Sequence, residues 1–306
     1  MSYIDVLRES EDQVTAGMSA CQGCGGELLL RTVLQIAGPN TIMLIPPGCM
    51  AGAGVIGWNH QNGMKIPVHI PLLDNTASFA SGLSQQYQRQ GREDVNIICF
   101  GGDGATADCG FMSLSAAAER NEKMLYICYD NEAYMNTGIQ KSSLTPFGAK
   151  TTTTPAGKNS HGCLTQKKNV FEIVAAHGIP YAATASVGYL PDFLKKLERA
   201  KGIHGTRFIH VIAPCPTGWG CPEADMVDIA RDIVDCGLWY LAEYEGPAIS
   251  GKPGGSFKLN RNPKEFTSVE AYLRRQVRFK ALTDDEVAQV EAGRDAKWEQ
   301  MRRDWA

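Results

Sequence analysis

Five short runs rich in apolar and β-branched residues, "NTIMLIPP" (40–47), "VNIICF" (95–100), "KMLYICYD" (123–130), "IPYAATAS" (179–186) and "RFIHVIAP" (207–214), alternate with segments of helical length. Near-continuous apolar runs are what strands buried on both faces require, and helical crossovers between them lead to parallel pairing. The helical period is carried by 76–91, 112–121, 167–178 and 190–202, all four of which end at Gly or Asn as a C-cap would. The pattern predicts an α/β chain with an open, mostly parallel sheet and helices on both faces. Periodicity stops from about Ser143 to Gly162, a Ser, Thr, Gly and Pro stretch whose length suits a functional or interface loop, or else disorder; an interface is expected. After Trp219 come a helix at 223–236, a Gly/Pro/Lys-rich stretch (246–264) and a charged helix at 283–305. The predicted division is a main domain, 1–222, and a C-terminal helical extension, 223–306, packed on that domain or on a partner.

Thirty Lys and Arg against 33 acids leave a net charge of −3, which gives no footprint for nucleic acid or an anionic membrane. The N-terminal "MSYIDVLRESEDQVTAG" has no apolar core of a signal peptide, and no run approaches the roughly 18 apolar residues of a membrane span. A cytoplasmic location is expected. Ten cysteines are many for such a chain. Cys99 and Cys128 lie in strand-like runs and read as core. Cys21, Cys24, Cys49, Cys215 and Cys221 lie in Gly- and Pro-rich loops, where ligands can converge. By itself the Cys21-x-x-Cys24 pair fits a zinc knuckle, a redox dithiol or half of an iron–sulfur site.

"ICFGGDGATADCGFMSLSAAAER" sets Gly101, Gly102, Asp103 and Gly104 where a buried strand ends and a helix begins. Glycines there let the backbone approach an anion, and the free N–H groups of the helix start point at it. An aspartate cannot bind phosphate, but it can hold a hard cation that bridges to phosphate. The next strand ends in "YDNEAYMNTG", with Asp130, Asn131 and Asn136 at the same sheet edge. A lone G-D-G is as readily a tight turn; followed by D-N-x-x-x-x-N on the next strand, it offers oxygen ligands from two strand ends to one metal. "GAGVIG" (Gly52–Gly57) fits a dinucleotide fingerprint, with Asp74 at a tolerable distance. Trp58, Asn59 and His60 then lead into Gln61-Asn62-Gly63 and Pro67, leaving no room for the required helix. A loop passing close to a cofactor or cluster is expected there.

Cys21 and Cys24 precede a helix, Cys49 follows a strand in "PPGCMAG", and Cys215 follows the last strand in "APCPTGWG". If parallel strands end on one edge, Cys49 and Cys215 converge on the N-terminal pair, with Asp103 and Asn131 nearby. Four loop thiolates suit either zinc or a 4Fe-4S cluster.

"CQGCG", "GCM", "GGDGATADCG", "YICYDNEAYMNTGIQ", "TPFGA", "ATASVGYLPDF" and "HVIAPCPTGW" together resemble, over most of the chain, the thiamine-diphosphate-binding β subunit of the 2-oxoacid:ferredoxin oxidoreductase family. The resemblance implies that 1–222 is a thiamine-diphosphate-binding domain carrying iron–sulfur cluster loops. It implies magnesium held by Asp103, the Asn131 side chain and the Ala133 carbonyl, and a cofactor lined by Gly48, Gly102, Asp103, Gly104, Asn131, Ala133, Asn136 and Thr137. Asn136 would be the catalytic residue beside the thiazolium ring. Cys21, Cys24, Cys49 and Cys215 would ligate a 4Fe-4S cluster, with Cys221 a rival for the fourth place, while Cys109, Cys163 and Cys236 would be structural. The implied activity is oxidative decarboxylation of a 2-oxoacid to acyl-CoA, with electrons leaving singly through the cluster; a redox-inert zinc has little use beside such a cofactor.

Thiamine enzymes need a carboxylate on the aminopyrimidine, which this family supplies as a glutamate from another subunit's pyrimidine domain. One α/β core leaves no second sheet to carry it. The resemblance therefore implies an α-type partner with that glutamate, a cluster-carrying ferredoxin-like subunit, an external acceptor (ferredoxin, or NAD through another subunit), and an isolated chain that is inactive. Around "AGAGVIGWNHQNGMKIPVHIPLLDNTASFA" the chain departs from pyruvate-type members: Ala51–Gly54 and Val68 are small or aliphatic where aromatic residues are expected. That admits a bulkier aryl 2-oxoacid such as phenylglyoxylate beside a pyruvate-like one. His60, His69 and His161 read as surface or satisfied core groups. Two other readings stay open: a zinc-stabilised, non-catalytic assembly subunit, and an NAD-binding dehydrogenase using Gly52–Gly57.

Overall fold

Each of the five apolar runs forms a strand. The computed structural model describes residues 3–15, 17–52 and 63–305. Its strands are β1 (Thr41–Leu44), β2 (Val68–His69), β3 (Asn96–Gly102), β4 (Met124–Asp130), β5 (Ala156–Gly157), β6 (Ser160–His161), β7 (Tyr181–Ser186), β8 (Thr206–Ile212), β9 (Ala242–Glu245) and β10 (Ser256–Leu259). Eight of them build one sheet in the order β10-β9-β7-β8-β4-β3-β1-β2, and β5 pairs with β6 in a small hairpin. From β2 to β7 the pairing is parallel; β9 is antiparallel to β7 and β10 to β9. The all-buried strands β4, β7 and β8 lie at the centre, covered on both faces.

The helix Gly25–Ala37 shows why the covering works. Leu29, Leu30, Val33, Leu34 and Ile36 fall at helical spacing on one buried stripe, packed with Ile98, Ile127 and Phe193. It stops at Gly38, whose φ of +74° only glycine adopts without cost. The opposite face is covered by Thr76–Arg89, Phe111–Glu119 and Val170–Ala175, which bury Ala77, Leu114 and Phe171.

One expectation changes. The extension, expected to be helical, also supplies β9 and β10, which prolong the main sheet. Its long helix Asp284–Asp304 begins with a capping box in which Thr283 and Glu286 bond reciprocally. The loop after Ser143 is anchored at its ends: Leu144, Thr145, Ala149 and Thr151 are buried and Gly148 N donates to Cys163 O at 2.7 Å, while most of 152–161 is exposed. Residues 53–57 of the glycine run lie outside the described residues, as does His60. Among the described residues no helix is long and apolar enough to cross a membrane.

Candidate functional site

Strands β3 and β4 run side by side with Gly102 opposite Tyr129, so Asp103 and the Asp130–Asn131 pair leave the sheet at one edge. Asp103 opens a helical segment that passes through a π turn (Ala105–Cys109) into the helix Phe111–Glu119. Such single π turns are frequent at functional sites. The Asp103 carboxylate is buried and accepts a hydrogen bond from Ser142 Oγ.

Opposite it, Asn131, Glu132 and Ala133 form a turn in which Glu132 has φ +68°. That conformation costs a residue with a side chain about 1–2 kcal/mol. The turn is held from outside at three points. Trp219 Nε1 donates to Asn131 O at 2.8 Å, Glu132 N to Asp130 Oδ1 at 2.9 Å, and Thr145 Oγ1 to Glu132 O at 2.7 Å. The consequence is a triangle of oxygens. The Asn131 side-chain oxygen faces only acceptors, the Ala133 carbonyl at 2.9 Å and Asp103 Oδ1 at 3.1 Å. Octahedral magnesium, with metal–oxygen distances of about 2.0–2.1 Å, sets adjacent ligands about 2.8–3.0 Å apart. Both distances from the Asn131 amide therefore match the spacing of adjacent ligands around magnesium. The donor set fits the metal.

Charges behind the triangle are arranged in the same sense. Burial pushes the Asp103 carboxyl well above the usual range, and the charge of Asp130 adds to this against the Ser142 hydrogen bond. Burial acts on Asp130 too, but the Lys167 ammonium at 2.6 Å and His210 Nε2 at 2.9 Å overcome it and hold Asp130 below the usual range. Burial keeps His210 below its ordinary value although Asp130 draws it the other way, and the ring Nε2 hydrogen-bonds Asp130 Oδ2. Asp130 thus carries the charge, and Asp103 is the carboxyl that a divalent cation would hold ionised.

The cleft over this turn is lined by Gly48, Gly102, Asp103, Gly104, Asn131, Ala133, Asn136 and Thr137, together with Cys49, Leu73, Tyr129 and Met135. Every residue expected to surround the cofactor is there. A Cβ on Gly104 would fall 2.2 Å from the Tyr134 ring, so only glycine lets that ring lie against the helix start. Asn136 is exposed at the tip of a loop closed by Tyr134 N donating to Gln140 O at 2.9 Å.

Beside the cleft, Cys24 caps the helix Gly25–Ala37 and Cys215 caps the short helix Pro216–Trp219, where its Sγ accepts from Gly218 N at 3.3 Å. A helix N-terminus favours thiolate. The glycines of "CQGCGG" bring the two loops together. Gly25 N donates to Pro214 O at 3.2 Å, and Gly23, at φ +65°, would with a Cβ lie 2.5 Å from Glu223 O. Burial first, then the charges of Cys215 and Cys21, push Cys24 up to about 11, and burial with Cys215, Cys24 and Cys21 pushes Cys49 up to about 12. The thiol that bears on Cys221 is Cys215. Among the described residues no three Cys, His, Asp or Glu groups are disposed to hold a metal ion, so the four thiols do not form a closed ligand shell.

The remaining candidates separate cleanly. Cys99, Cys128, Cys163 and Cys236 are buried, whereas Cys109, expected to be structural, is exposed with its Sγ 3.5 Å from Tyr134 Oη. His69 stacks on Phe79 at 4.0 Å and His161 pairs with Glu286 at 2.9 Å. Sequence reasoning missed Tyr129, Ser142, Lys167, Trp219 and Arg278. Tyr129 had a signal: a Cβ on Gly26, Gly48 or Gly102 would lie 3.2–3.6 Å from its ring or hydroxyl, so three separate motifs carry glycine around one tyrosine.

The family model for the C-terminal TPP-binding domain of thiamine pyrophosphate enzymes matches residues 48–211. Over 294 residues the chain is 42% identical to pyruvate synthase subunit PorB of Methanothermobacter thermautotrophicus, covering 95% of this chain and 98% of that one. It is 41% identical over 300 residues to ketoisovalerate oxidoreductase subunit VorB of Pyrococcus abyssi (96% and 93% covered). It is also 41% identical over 283 residues to the β subunit of NADH-dependent phenylglyoxylate dehydrogenase of Aromatoleum evansii (92% and 62%). Among solved structures, 2-oxoglutarate:ferredoxin oxidoreductase from Magnetococcus marinus superposes with a TM-score of 0.57 over 72% of this chain and 79% of that one; at 18% identity it supports the fold alone. The chain belongs to the thiamine-diphosphate-binding β-subunit family of the 2-oxoacid:ferredoxin oxidoreductases.

Proposed function

We propose that the chain binds thiamine diphosphate through magnesium held by Asp103, Asn131 and Ala133, carries a 4Fe-4S cluster on Cys21, Cys24, Cys49 and Cys215, and serves the oxidative decarboxylation of a 2-oxoacid to acyl-CoA. The observation that carries the reading is the oxygen triangle, with sides of 2.9 and 3.1 Å measured from Asn131, in a cleft lined by the whole expected cofactor set. When bound, thiamine diphosphate supplies the electron sink that lets carbon dioxide leave, and a cluster accepts electrons one at a time.

The chain's own residues prepare for this. The helix start at Asp103 and Gly104 offers unpaired N–H groups to a diphosphate. Leu73, Tyr129 and Met135 form an apolar wall that keeps water from the reacting centre. Asn136, exposed at the mouth, is positioned to hydrogen-bond the carboxylate of an incoming 2-oxoacid. The carboxylate for the aminopyrimidine is expected from an α-type partner; a ferredoxin-like subunit and coenzyme A complete the assembly. Relatives named for pyruvate, ketoisovalerate and phenylglyoxylate are nearly equally similar, which supports the 2-oxoacid class and leaves both a pyruvate-like and an aryl member of it in play.

The test is anaerobic purification of the chain alone and co-expressed with its partners, followed by metal and cofactor analysis and 2-oxoacid-dependent viologen reduction. Visible absorption bleached by dithionite, bound thiamine diphosphate, and turnover only in the complex are expected. A colourless protein with stoichiometric zinc, or turnover by the single chain, would overturn the reading.

A further inference from the structure

Glu132 sits between two of the oxygens of the cation site, yet offers none itself. Its side chain is turned inward and buried, 3% exposed, where Lys167 Nζ hydrogen-bonds one carboxylate oxygen at 2.6 Å and Arg278 Nη2 lies 2.5 Å from the other as an ion pair without hydrogen-bond alignment. Lys167 is shared with Asp130, also at 2.6 Å, and so spans both ends of the turn. Arg278 comes from the C-terminal extension. Its guanidinium lies 3.8 Å over the ring of Trp219, the residue whose Nε1 holds Asn131 O. Lys150 N fixes the Arg278 carbonyl at 2.9 Å. The left-handed backbone at φ +68° is therefore over-determined by a clamp of two cations, one from the loop after the turn and one from a segment nearly 150 residues further along (132 to 278).

We propose that Glu132 is a positioning residue: drawn inward by Lys167 and Arg278, it fixes the strained turn that aims the Asn131 and Ala133 oxygens at Asp103. The C-terminal extension, through Arg278, is thereby part of the cation site. The inference rests on the magnesium reading above. A plain structural ion pair would stabilise the fold; a positioning pair must in addition set the cation's affinity and surroundings.

The experiment measures Mn2+ binding in the presence of thiamine diphosphate, by electron paramagnetic resonance, on the assembled complex. The proteins are wild type, the double variant Glu132→Gly/Arg278→Met, and Asp103→Asn. The double variant removes both charges together, so that no lone Glu132 or Arg278 charge is left buried, and glycine adopts the left-handed turn without strain. Expected are retained assembly, Mn2+ binding weakened about 10–100-fold as for loss of groups that orient ligands, and an altered Mn2+ line shape. Wild-type affinity and line shape in the double variant would overturn the proposal. Should that variant not fold, Arg278→Met alone carries the same two outcomes, since it leaves the sequence of the turn intact. The magnesium reading fails separately if Asp103→Asn binds Mn2+ as wild type does.

Discussion

Replacing Gly25 by alanine tests whether the two cysteine loops are pinned to each other. The added Cβ would lie 2.8 Å from Pro214 O, 2.9 Å from Ala213 C and 3.0 Å from Pro214 N. All three are backbone atoms of the segment that leads into Cys215, so no flexible side chain can yield. Restoring ordinary non-bonded contact of about 3.5–4.0 Å needs a shift of roughly half an ångström or more. Two effects compete. Alanine in place of glycine favours a helix by about 1 kcal/mol in its interior and less at its first turn; forcing a group into close-packed backbone costs about 1–3 kcal/mol. Crowding wins by about 1–2 kcal/mol. At about 2–4 °C per kcal/mol for chains near this size, the melting temperature should fall by about 2–8 °C.

The control is Gly293→Ala in the helix Asp284–Asp304, where an added Cβ meets nothing within 4 Å. There only the propensity acts, and stability should rise by up to about 1 kcal/mol. Anaerobic thermal unfolding of both variants, with iron per chain measured alongside, decides the matter. Under the proposed function Gly25→Ala also loses iron, because the loop bearing Cys21 and Cys24 is pushed away from Cys215. If Gly25→Ala melts at or above wild type with its iron complete, the loops are free to separate and the reasoning fails.

Cys215→Ser should lose iron while Cys221→Ser keeps it, because Cys215 shares charge with the N-terminal pair and Cys49; the reverse pattern would move the fourth ligand to Cys221. Asn136→Ala should bind thiamine diphosphate and metal normally yet turn over about 10²-fold or more slowly, as when a hydrogen-bond donor at a reacting centre is removed; full turnover with full loading contradicts its assigned role. Acid stability should depend on Glu243. Burial raises its carboxyl, but hydrogen bonds from Asn260 and Tyr181, each at 2.7 Å, and from Arg199 at 3.1 Å hold it below the ordinary 4.5. A depressed folded value means that the stabilisation is complete above 4.5 and lost as pH falls through the folded value. Glu243→Gln should therefore shrink the drop in melting temperature below pH 4.5, and equal drops in the two proteins would exclude the linkage.

The central strands were legible because strands buried on both faces are nearly all apolar: β4 and β8 begin within a residue of the predicted runs. Strands β9 and β10 were not. "AEYE" and "SFKL" mix charge with apolar residues because they lie at or next to the sheet edge, and four residues are too few to show a period. The turn proposed to hold magnesium stood out in the sequence as G-D-G and D-N because ligand chemistry restricts residue type. Its supports did not, since Ser142, Lys167, Trp219 and Arg278 reach the turn through tertiary contacts that leave no fixed spacing. Lys167 in particular reads as a surface residue in "TQKKNV", where its neighbour Lys168 is half-exposed; only folding shows which of the two turns inward to Asp130.

These supports also join the two halves of the site. Tyr129 lies against glycines of the "CQGCGG" loop, the "PPGC" loop and the G-D-G turn, and Trp219, in the helix capped by Cys215, holds the carbonyl of Asn131. A buried carbonyl deprived of its donor costs about 1–3 kcal/mol, so the Cys215 helix cannot drift without penalty at Asn131. In close-packed surroundings a displacement of half an ångström is not absorbed locally; it is passed on through Trp219 to the turn and through Tyr129 to the other cysteine loops. If electrons leave a cofactor in this cleft through the cysteines beside it, the donor–acceptor separation is set by two aromatic side chains and the glycines that admit them, rather than by the ligands themselves.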